Sequence, residues 1–322
     1  MEDEPSEFTR RLHAGFGVSA STVVETARRA TGEGVRACER IVRGHVNEVY
    51  RVRTDSKTFF VRIDRSGDAD FAAEAWAMGE ARRVHVPVPD VVLVDRARDD
   101  EEELPVMVLS ALPGRPLADV EAELSPVRLR AVLTDAGRLL ATLHSVRTPG
   151  VWKPEADGRW NTWDEIRDGV LAERRSERPE LRSAGLSESE ATVVLELVAR
   201  CVDEYPWNDP VLCHGDFVPD HIFVDDDLRI TGLLDFGMFH GGPPVSDLAY
   251  LRLVRPDLNQ DGLLAGYGVS AEDREWLRQR DLHAVTHAVG YVAHSVRVGN
   301  AVQTAAYVRS LRSLVDDLRQ RR

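Results

Sequence analysis

The chain has 322 residues, of which 43% are hydrophobic and 7% aromatic, so it can bury the cores of two ordinary lobes. Its 54 acidic residues outnumber 41 Lys and Arg, and the formal net charge of −13 repels phosphate backbones and anionic membrane surfaces. We therefore expect no nucleic-acid partner and no membrane binding. A cationic small molecule fits this charge, but acidity also serves solubility alone.

The cysteines and the first residues indicate the compartment. Cys38, Cys201 and Cys213 show no CxxC spacing, so the sequence suggests neither a disulfide framework nor a zinc site. The opening "MEDEPSEFTRR" is acidic, whereas a signal peptide begins with basic and then apolar residues. No apolar run reaches the roughly 18 residues of a membrane span. We expect a cytoplasmic protein, and nothing in the sequence implies an obligate protein partner.

Residues 36–110 alternate β-rich runs with turn signals, and a helical extension is expected over residues 1–35. The runs "ACERIV", "EVYRVRT", "TFFVRI", "DVVLVD" and "PVMVLS" predict five strands. Between the third and fourth lies the Ala-rich "DADFAAEAWAMGEARRV", which predicts a helix with Asp68 or Asp70 near its N-terminus. The acidic run at 99–103 reads as a solvated hairpin tip. The segment therefore predicts an antiparallel five-stranded sheet with one inserted helix.

Residues 111–116 contain Pro113, Gly114 and Pro116, which predict a hinge linker. Beyond it, residues 117–322 become helical in period, with apolar residues at i, i+3 and i+4 over 126–146, 187–205 and most of 271–322. One stretch differs: "HIFVD" and "RITGLLD" flank a turn at Asp226 and Asp227 and predict a β-hairpin. The fold class is therefore α+β, with a sheet-containing N-lobe and a mainly helical C-lobe.

Polar clusters stand at both ends of this hairpin: "HGDFVPDH" (214–221) before it and "DFG" (235–237) after it. Phosphoryl transfer requires a carboxylate that orients the attacking hydroxyl, ligands for Mg²⁺ and a cation on the phosphates. Asp216, His221 and Asp235 stand in an order that fits these needs. With "VSDLAYL" (245–251), the set resembles the aminoglycoside phosphotransferase family, from about residue 36 to the C-terminus and most clearly over 212–251.

The resemblance implies a bilobal protein-kinase-like fold and a role for each matched residue. Asp216 would be the catalytic base or hydroxyl-orienting carboxylate, Asp235 a Mg²⁺ ligand, and His214 and Asp247 supports of the catalytic loop. His221 departs from the commonest pattern, which has Asn, and an imidazole is an unusual ligand for Mg²⁺. Macrolide kinases and kinases of the aminoglycoside 2″-hydroxyl also place His there. His221 therefore either ligates the metal or only hydrogen-bonds the loop.

The resemblance also implies a phosphate clamp on the third strand. Arg62 in "TFFVRI" would hold phosphate oxygens and pair with Glu74 of the following helix. An Arg can grip phosphate oxygens in a bidentate manner, whereas a Lys acts as a point charge. The strand alternation places Arg62 opposite Val61 and Ile63, and that face could equally be solvent.

The remaining nucleotide contacts are implied around two loops. The phosphate loop would be "GHVNEVY" (44–50), where Gly44 lets backbone N–H groups approach phosphates and Asn47 lies nearby. The linker would supply the nucleobase site through main-chain groups of Ser110 and Leu112, with Leu109 at the back of the pocket. Recognition by the backbone leaves ATP and GTP as alternative donors.

The acceptor should lie over Asp216 against the helical lobe. The segment "VWKPEADGRWNTWDEIRDG" (151–169) includes Trp160, Trp163 and Asp164, and aromatic faces with carboxylates suit a sugar or a cationic antibiotic. The same tryptophans would also suit the packing of a helix pair on the core. The segment "GMFHGGPPVSD" (237–247) is a second candidate for the rim of the acceptor site. The lone His240 within it is expected to be a surface residue.

Three functions fit these residues. The first is a Mg²⁺-dependent O-phosphotransferase that uses ATP or GTP to inactivate an aminoglycoside, a macrolide or a related antibiotic. The second is a metabolic kinase of a sugar or amino-alcohol, and the third is a catalytically silent nucleotide-binding protein. A protein kinase is disfavoured because no activation segment ending in APE separates "DFG" from "SDLAYL".

Overall fold

A computed structural model describes residues 17–42, 47–67, 69–270 and 272–320. The N-lobe is a five-stranded antiparallel sheet with strand order β1-β2-β3-β5-β4. One helix precedes the sheet and another lies between the third and fourth strands, as the sequence predicts. The elements are α1 (Ala20–Thr31), β1 (Val35–Ile41), β2 (Glu48–Thr54), β3 (Thr58–Ile63), α2 (Phe71–Arg83), β4 (Val91–Asp99) and β5 (Glu102–Ser110).

The inserted helix α2 begins at a side-chain cap. The carboxylate of Asp70 accepts a hydrogen bond from Ala73 N at 2.9 Å, which satisfies one of the free N–H groups of the first turn. The alternative cap, Asp68, lies outside the described residues. Apolar residues of α2, including Ala77 and Met78, join Leu109 of β5 and Phe236 of the C-lobe in one buried cluster. The core therefore links the two lobes behind the cleft.

The linker leads directly into a small second sheet. Its last residues form β6 (Arg115–Pro116), which pairs with β8 (Ile222–Val224), and β8 pairs with β9 (Ile230–Leu233). Gly114 has φ +85°, and a Cβ there would lie 2.2 Å from the carbonyl oxygen of Val224. Only glycine fits this crossing, so the linker lies tightly against the predicted hairpin.

A second strand pair joins the two polar clusters. Strand β7 (Val211–Cys213) pairs with β10 (His240–Gly242), and Cys213 lies opposite His240. The chain just after β7 and the chain just before β10 are therefore held side by side. These two stretches carry the "HGD" and "DFG" sequences.

The rest of the C-lobe is helical, and the predicted α+β fold is confirmed. Apolar faces of the long helices form a separate buried cluster that includes Leu253, Val285 and Leu311. No helix in the described ranges is long and apolar enough to cross a membrane. The helices are α3 (Pro126–Leu143), α4 (Trp163–Ser176), α5 (Arg178–Ser183), α6 (Glu188–Glu204), α7 (Ser246–Val254), α8 (Asp261–Tyr267), α9 (Arg274–Arg297) and α10 (Ala301–Gln320).

Candidate active site

The loop that carries Asp216 begins where β7 ends. Gly215 has φ +83°, and a Cβ there would lie 1.9 Å from the carbonyl oxygen of Met238. No other residue fits without moving the "DFG" segment, which explains the glycine before the aspartate. The Asp216 side chain is 27% exposed and faces the cleft between the lobes.

Asp247, near the start of α7, anchors this loop from below. Its carboxylate is fully buried and accepts hydrogen bonds from His214 N at 2.8 Å, Gly215 N at 2.7 Å and His144 Nε2 at 2.9 Å. Burial alone would raise the pKa of Asp247, but hydrogen bonding and charge from His144, with further attraction from His214, hold the pKa well below its usual range. A buried carboxylate therefore fixes the two residues before Asp216.

His214 supports the loop with its ring. Its Nδ1 accepts a hydrogen bond from Asp216 N at 3.2 Å, so the proton is on Nε2, which donates to Leu234 O at 3.0 Å. Burial lowers the pKa of His214 to about 4, against the attraction of Asp247. The ring is therefore neutral near pH 7 and ties the catalytic loop to the end of β9.

His221 and Asp235 meet across the cleft floor. His221 Nδ1 donates to Asp216 O at 2.8 Å, which leaves the Nε2 lone pair 3.9 Å from Asp235 Oδ2. A nitrogen lone pair and a carboxylate oxygen at this spacing fit a bridging divalent cation. His221 therefore makes the loop hydrogen bond, and its Nε2 lone pair remains free as a candidate metal ligand.

Arg62 connects the N-lobe to this floor. It forms an ion pair with buried Glu74 of α2, and its Nη2 lies 3.6 Å from Asp235 Oδ1. Burial alone would lower the pKa of Arg62, but the charges of Glu74 and Asp235 outweigh it and raise the pKa. Burial would raise the pKa of Asp235, yet the charge of Arg62, with a hydrogen bond from Gly237 N, lowers it. Arg62 therefore points into the cleft and not to bulk solvent.

Aromatic side chains that the sequence analysis did not single out stand beside Asp216. Burial raises the pKa of Asp216, while His221 and the nearby hydroxyl of Tyr250 oppose that rise. The ring of Tyr250 lies 5.3 Å from Tyr291 of α9, which in turn lies 5.5 Å from Tyr307 of α10. A row of three tyrosines therefore leads away from the candidate base along the helical lobe, where an acceptor would lie.

The predicted nucleotide contacts are placed around the opposite side of the cleft. Leu109 is buried, and Ser110 N donates to Asp90 O at 2.9 Å, so Ser110 would act through its carbonyl. The N–H of Leu112 has no hydrogen-bond partner in the described part of the chain. Asn47 carries a buried Oδ1 without a partner in the same ranges. Gly44 lies outside the described residues.

The predicted acceptor tryptophans pack against other rings. Trp163 is 5% exposed and stacks on Trp207 at 4.8 Å, so little of its ring can contact a substrate. Trp160 lies 5.3 Å from Trp76 of α2 and so contacts the N-lobe. Asp164 is exposed in the first turn of α4.

The expectation that His240 is a surface residue is wrong. His240 is 7% exposed, and its Nε2 lies 3.0 Å from the hydroxyl of Ser246, which in turn lies 3.3 Å from His287 Nε2. The ring is buried because β10 pairs with β7 and Trp152 packs on it at 5.6 Å. The burial of His240 depends on the pairing of β10 with β7, which is distant in sequence, so it cannot be predicted from the residues around His240.

A family model described as "Phosphotransferase enzyme family" (APH) matches residues 37–282. The chain belongs to this phosphotransferase family. The resemblance noted in the sequence is confirmed, and the enzyme class is a phosphotransferase with an alcohol group as acceptor. No curated protein sequence matches significantly.

Solved structures share the fold of this family member at low identity. The aminoglycoside phosphotransferase APH(4)-Ia is 16% identical with a TM-score of 0.72, over 92% of this chain and 99% of that one. A putative fructosamine-3-kinase from Haemophilus somnus is 16% identical with a TM-score of 0.64, over 92% and 97%. APH(2″)-IIa in a streptomycin–ATP complex is 16% identical with a TM-score of 0.60, over 92% and 99%. These likenesses confirm the protein-kinase-like fold.

Proposed function

We propose that the chain is a Mg²⁺-dependent O-phosphotransferase that moves the γ-phosphoryl group of ATP or GTP to a hydroxyl of an antibiotic such as an aminoglycoside or a macrolide. The observation that carries the proposal is the contact between the lobes: Arg62 of β3 reaches Asp235, with Asp216 and His221 on the same floor. A cation, two metal-ligand candidates and a base candidate thus share one cleft.

In the proposed reaction Asp216 orients the acceptor hydroxyl and accepts its proton. Burial raises its pKa and so strengthens it as a base, while His221 and Tyr250 oppose that rise. Arg62 would hold the phosphate oxygens. Asp235 and His221 would hold Mg²⁺, which when bound neutralises charge on the phosphates.

The nucleotide and acceptor sides are supported by different observations. For the nucleobase, the partner-free Leu112 N–H and the buried Leu109 fit a backbone-reading site, and Asn47 fits the phosphate loop. For the antibiotic acceptor, support comes from APH(4)-Ia, solved with ADP and hygromycin B, and from APH(2″)-IIa, solved with gentamicin. We infer that the acceptor is a small hydroxylated molecule, with a cationic one favoured by the net charge of −13.

A metabolic kinase acting on a sugar or amino-alcohol is the second candidate, because a putative fructosamine-3-kinase shares the fold over 92% of this chain. A catalytically silent nucleotide binder is the third. The ion pair of Arg62 with Glu74 and the ionised Asp235 favour an active enzyme over this reading.

The test is release of ADP or GDP with Mg²⁺ across aminoglycosides, macrolides, other hydroxylated antibiotics, sugars and amino-alcohols. Asp216→Ala serves as the blank, and Asp216→Asn, which keeps the side-chain volume, is the matched variant. We expect turnover on one compound class and a loss of about 10²- to 10⁴-fold in kcat in both variants. Turnover confined to sugars or amino-alcohols would favour the metabolic kinase. Nucleotide binding without turnover would favour the silent binder, and full activity of Asp216→Asn would contradict the role of the base.

Resistance itself needs a growth measurement. Expression of the chain in a susceptible bacterium should raise the minimal inhibitory concentration of the turned-over drug, and Asp216→Ala should not. Turnover of the drug in vitro without a raised minimal inhibitory concentration would support the kinase activity but contradict the resistance role.

A further inference from the structure

Lys153 is one of only two lysines among the 41 Lys and Arg of the chain. The other, Lys57, is exposed in the turn between β2 and β3, far from the candidate cleft floor. Lys153 is partly buried, and its position in the loop between α3 and α4 brings it to the "DFG" segment.

Backbone hydrogen bonds hold this loop against β10. Trp152 N donates to Gly241 O at 2.8 Å, and Gly241 N donates to Trp152 O at 2.7 Å. A Cβ on Gly241 would lie 2.0 Å from Gly150 O, so the two chains touch closely. Trp152 itself has φ +61°, a conformation that L-residues with large side chains adopt only when the surroundings impose it. The turn at Trp152 directs Lys153 away from β10 and toward the cleft.

The ammonium group of Lys153 lies beside the candidate metal ligand Asp235. Lys153 Nζ donates to Gly237 O at 2.6 Å and lies 5.4 Å from the centre of the Phe239 ring. Burial lowers its pKa, against attraction from Glu74, Asp70 and Asp235. In the described part of the chain no carboxylate lies within 4.0 Å of this ammonium. An ammonium has three N–H donors, so two remain for another partner.

A partly buried cation with unused donors is costly unless an anion completes it. Arg62 reaches Asp235 from β3 of the N-lobe, whereas Lys153 reaches the same turn on a loop of the C-lobe and is attracted by Glu74 and the N-cap Asp70 of α2 as well as by Asp235. A nucleotide bound against Arg62 would place its terminal phosphate, the group that is transferred, toward the C-lobe. That phosphate carries more negative charge than any other part of the proposed ligand.

We propose that Lys153 is a second phosphate-binding cation, which donates to the terminal phosphoryl group of the nucleotide at the "DFG" turn. The proposal rests on the proposed nucleotide-dependent phosphotransfer. The Gly237 carbonyl holds the ammonium in place before the nucleotide binds, and the two remaining N–H donors then contact the phosphoryl oxygens. A Lys fits this position because its ammonium is a compact charge whose three N–H donors can rotate between the carbonyl and the phosphoryl oxygens. The donors of an Arg guanidinium are fixed in one plane, so they adapt less well to a carbonyl and a phosphoryl group that moves.

The first experiment compares Lys153→Met with the control Lys57→Met, which removes the other ammonium from an exposed turn. Calorimetry with Mg²⁺ measures the affinities for ADP and for AMP-PNP, and for GDP and GMP-PNP in parallel. Because a hydrogen bond to a charged group is lost only with the triphosphate, we expect Lys153→Met to bind the triphosphate analogue about 10- to 100-fold more weakly. Its diphosphate affinity, and both affinities of Lys57→Met, should stay within about twofold.

A lysine that only fastens the Gly237 loop would give a different result. Equal losses for diphosphate and triphosphate, or no loss for either, would overturn the proposal. If the wild-type chain binds no nucleotide with either base, the proposed function and this inference both fail. If it binds nucleotides and Lys153→Met leaves the ratio of the two affinities unchanged, only the role of Lys153 fails.

The second experiment needs no variant and so does not depend on folding of Lys153→Met. The folded wild-type chain is treated with an N-hydroxysuccinimide acetate ester, and the acetylation rates of Lys57 and Lys153 are read by peptide mass spectrometry. We expect Mg²⁺ with AMP-PNP to slow acetylation of Lys153 at least fivefold more than Mg²⁺ with ADP, and to leave Lys57 unchanged. Equal protection of Lys153 by the two nucleotides would overturn the contact with the terminal phosphate.

Discussion

Asp247→Asn should be strongly destabilising although it changes the side-chain volume very little. The carboxylate accepts three hydrogen bonds at 2.7–2.9 Å, two from the backbone of His214 and Gly215 and one from His144. An Asn amide offers one oxygen and two donors. If the oxygen faces His214 and His144, the amide nitrogen faces the N–H of Gly215, and two buried donors are left without partners.

The cost follows from these contacts. One charge-assisted hydrogen bond is lost, at about 1.5–3 kcal/mol, and each unpaired buried donor adds roughly 1–3 kcal/mol, partly overlapping with the first term. We therefore expect the free energy of unfolding to fall by about 3–5 kcal/mol. This is a large share of the roughly 5–15 kcal/mol that stabilises a typical domain. Because the freed N–H belongs to Gly215, the residue just before Asp216, kcat should fall as well.

Guanidinium unfolding followed by tryptophan fluorescence measures the change. The control is Asp257→Asn, which alters an exposed ion pair with Arg255 and should cost about 1 kcal/mol or less. A loss in Asp247→Asn no larger than that in Asp257→Asn would refute the reasoning, since it would mean that the three hydrogen bonds carry little of the loop's stability.

His221→Asn should retain Mg²⁺-dependent turnover within about tenfold, since the amide oxygen can ligate the metal; complete loss with an unchanged melting temperature would show that the imidazole has another role. His214 and His283 have pKa values lowered to about 4 by burial, while the unfolded chain takes up these protons near pH 6.5. Their contribution is therefore fully present well above pH 6.5 and is lost as the pH falls toward 4, by about 2 kcal/mol for each between pH 7.5 and 5. Urea unfolding at pH 7.5 and 5.0 measures this loss, and equal stabilities at the two values would contradict it. Tyr250→Phe removes a hydroxyl that lowers the pKa of the Asp216 carboxyl, which should move the acidic limb of the kcat/KM profile to higher pH; an unmoved limb would show that Tyr250 does not influence the base.

The elements of the fold could be read from local patterns. Alternating apolar residues and breakers gave five strands within a few residues of their observed bounds, and the cap at Asp70 marked the start of α2. The candidate floor residues Asp216, His221 and Asp235 flank one hairpin, so their proximity follows from pairing of adjacent strands. These features depend on residues that are close together in the sequence, so a single sequence is enough to predict them.

Contacts between distant segments could not be read in this way. The resemblance to the family suggested that Arg62 faces the cleft and pairs with Glu74, whereas the strand alternation left solvent open, and neither indicated the contact with Asp235. His144 is 103 residues from Asp247, and no spacing rule links them. The sequence left open whether Trp163 contacts substrate or packs in the core, and the expectation for His240 was wrong, for the same reason: Trp207 and β7 bury them from elsewhere in the chain.

The loop between α3 and α4 shows how such contacts could matter for catalysis. It bridges the lobes, because Trp160 packs on Trp76 of α2 while Trp152 is hydrogen-bonded to β10 of the C-lobe. Helix α2 also carries Glu74, the partner of Arg62. In protein kinases the position of the corresponding helix depends on an activation segment, and this chain has too few residues after "DFG" for one. A loop that fixes α2 from the C-lobe would keep the Arg62–Glu74 pair formed without phosphorylation, as expected for an enzyme that acts on its acceptor whenever that acceptor is present.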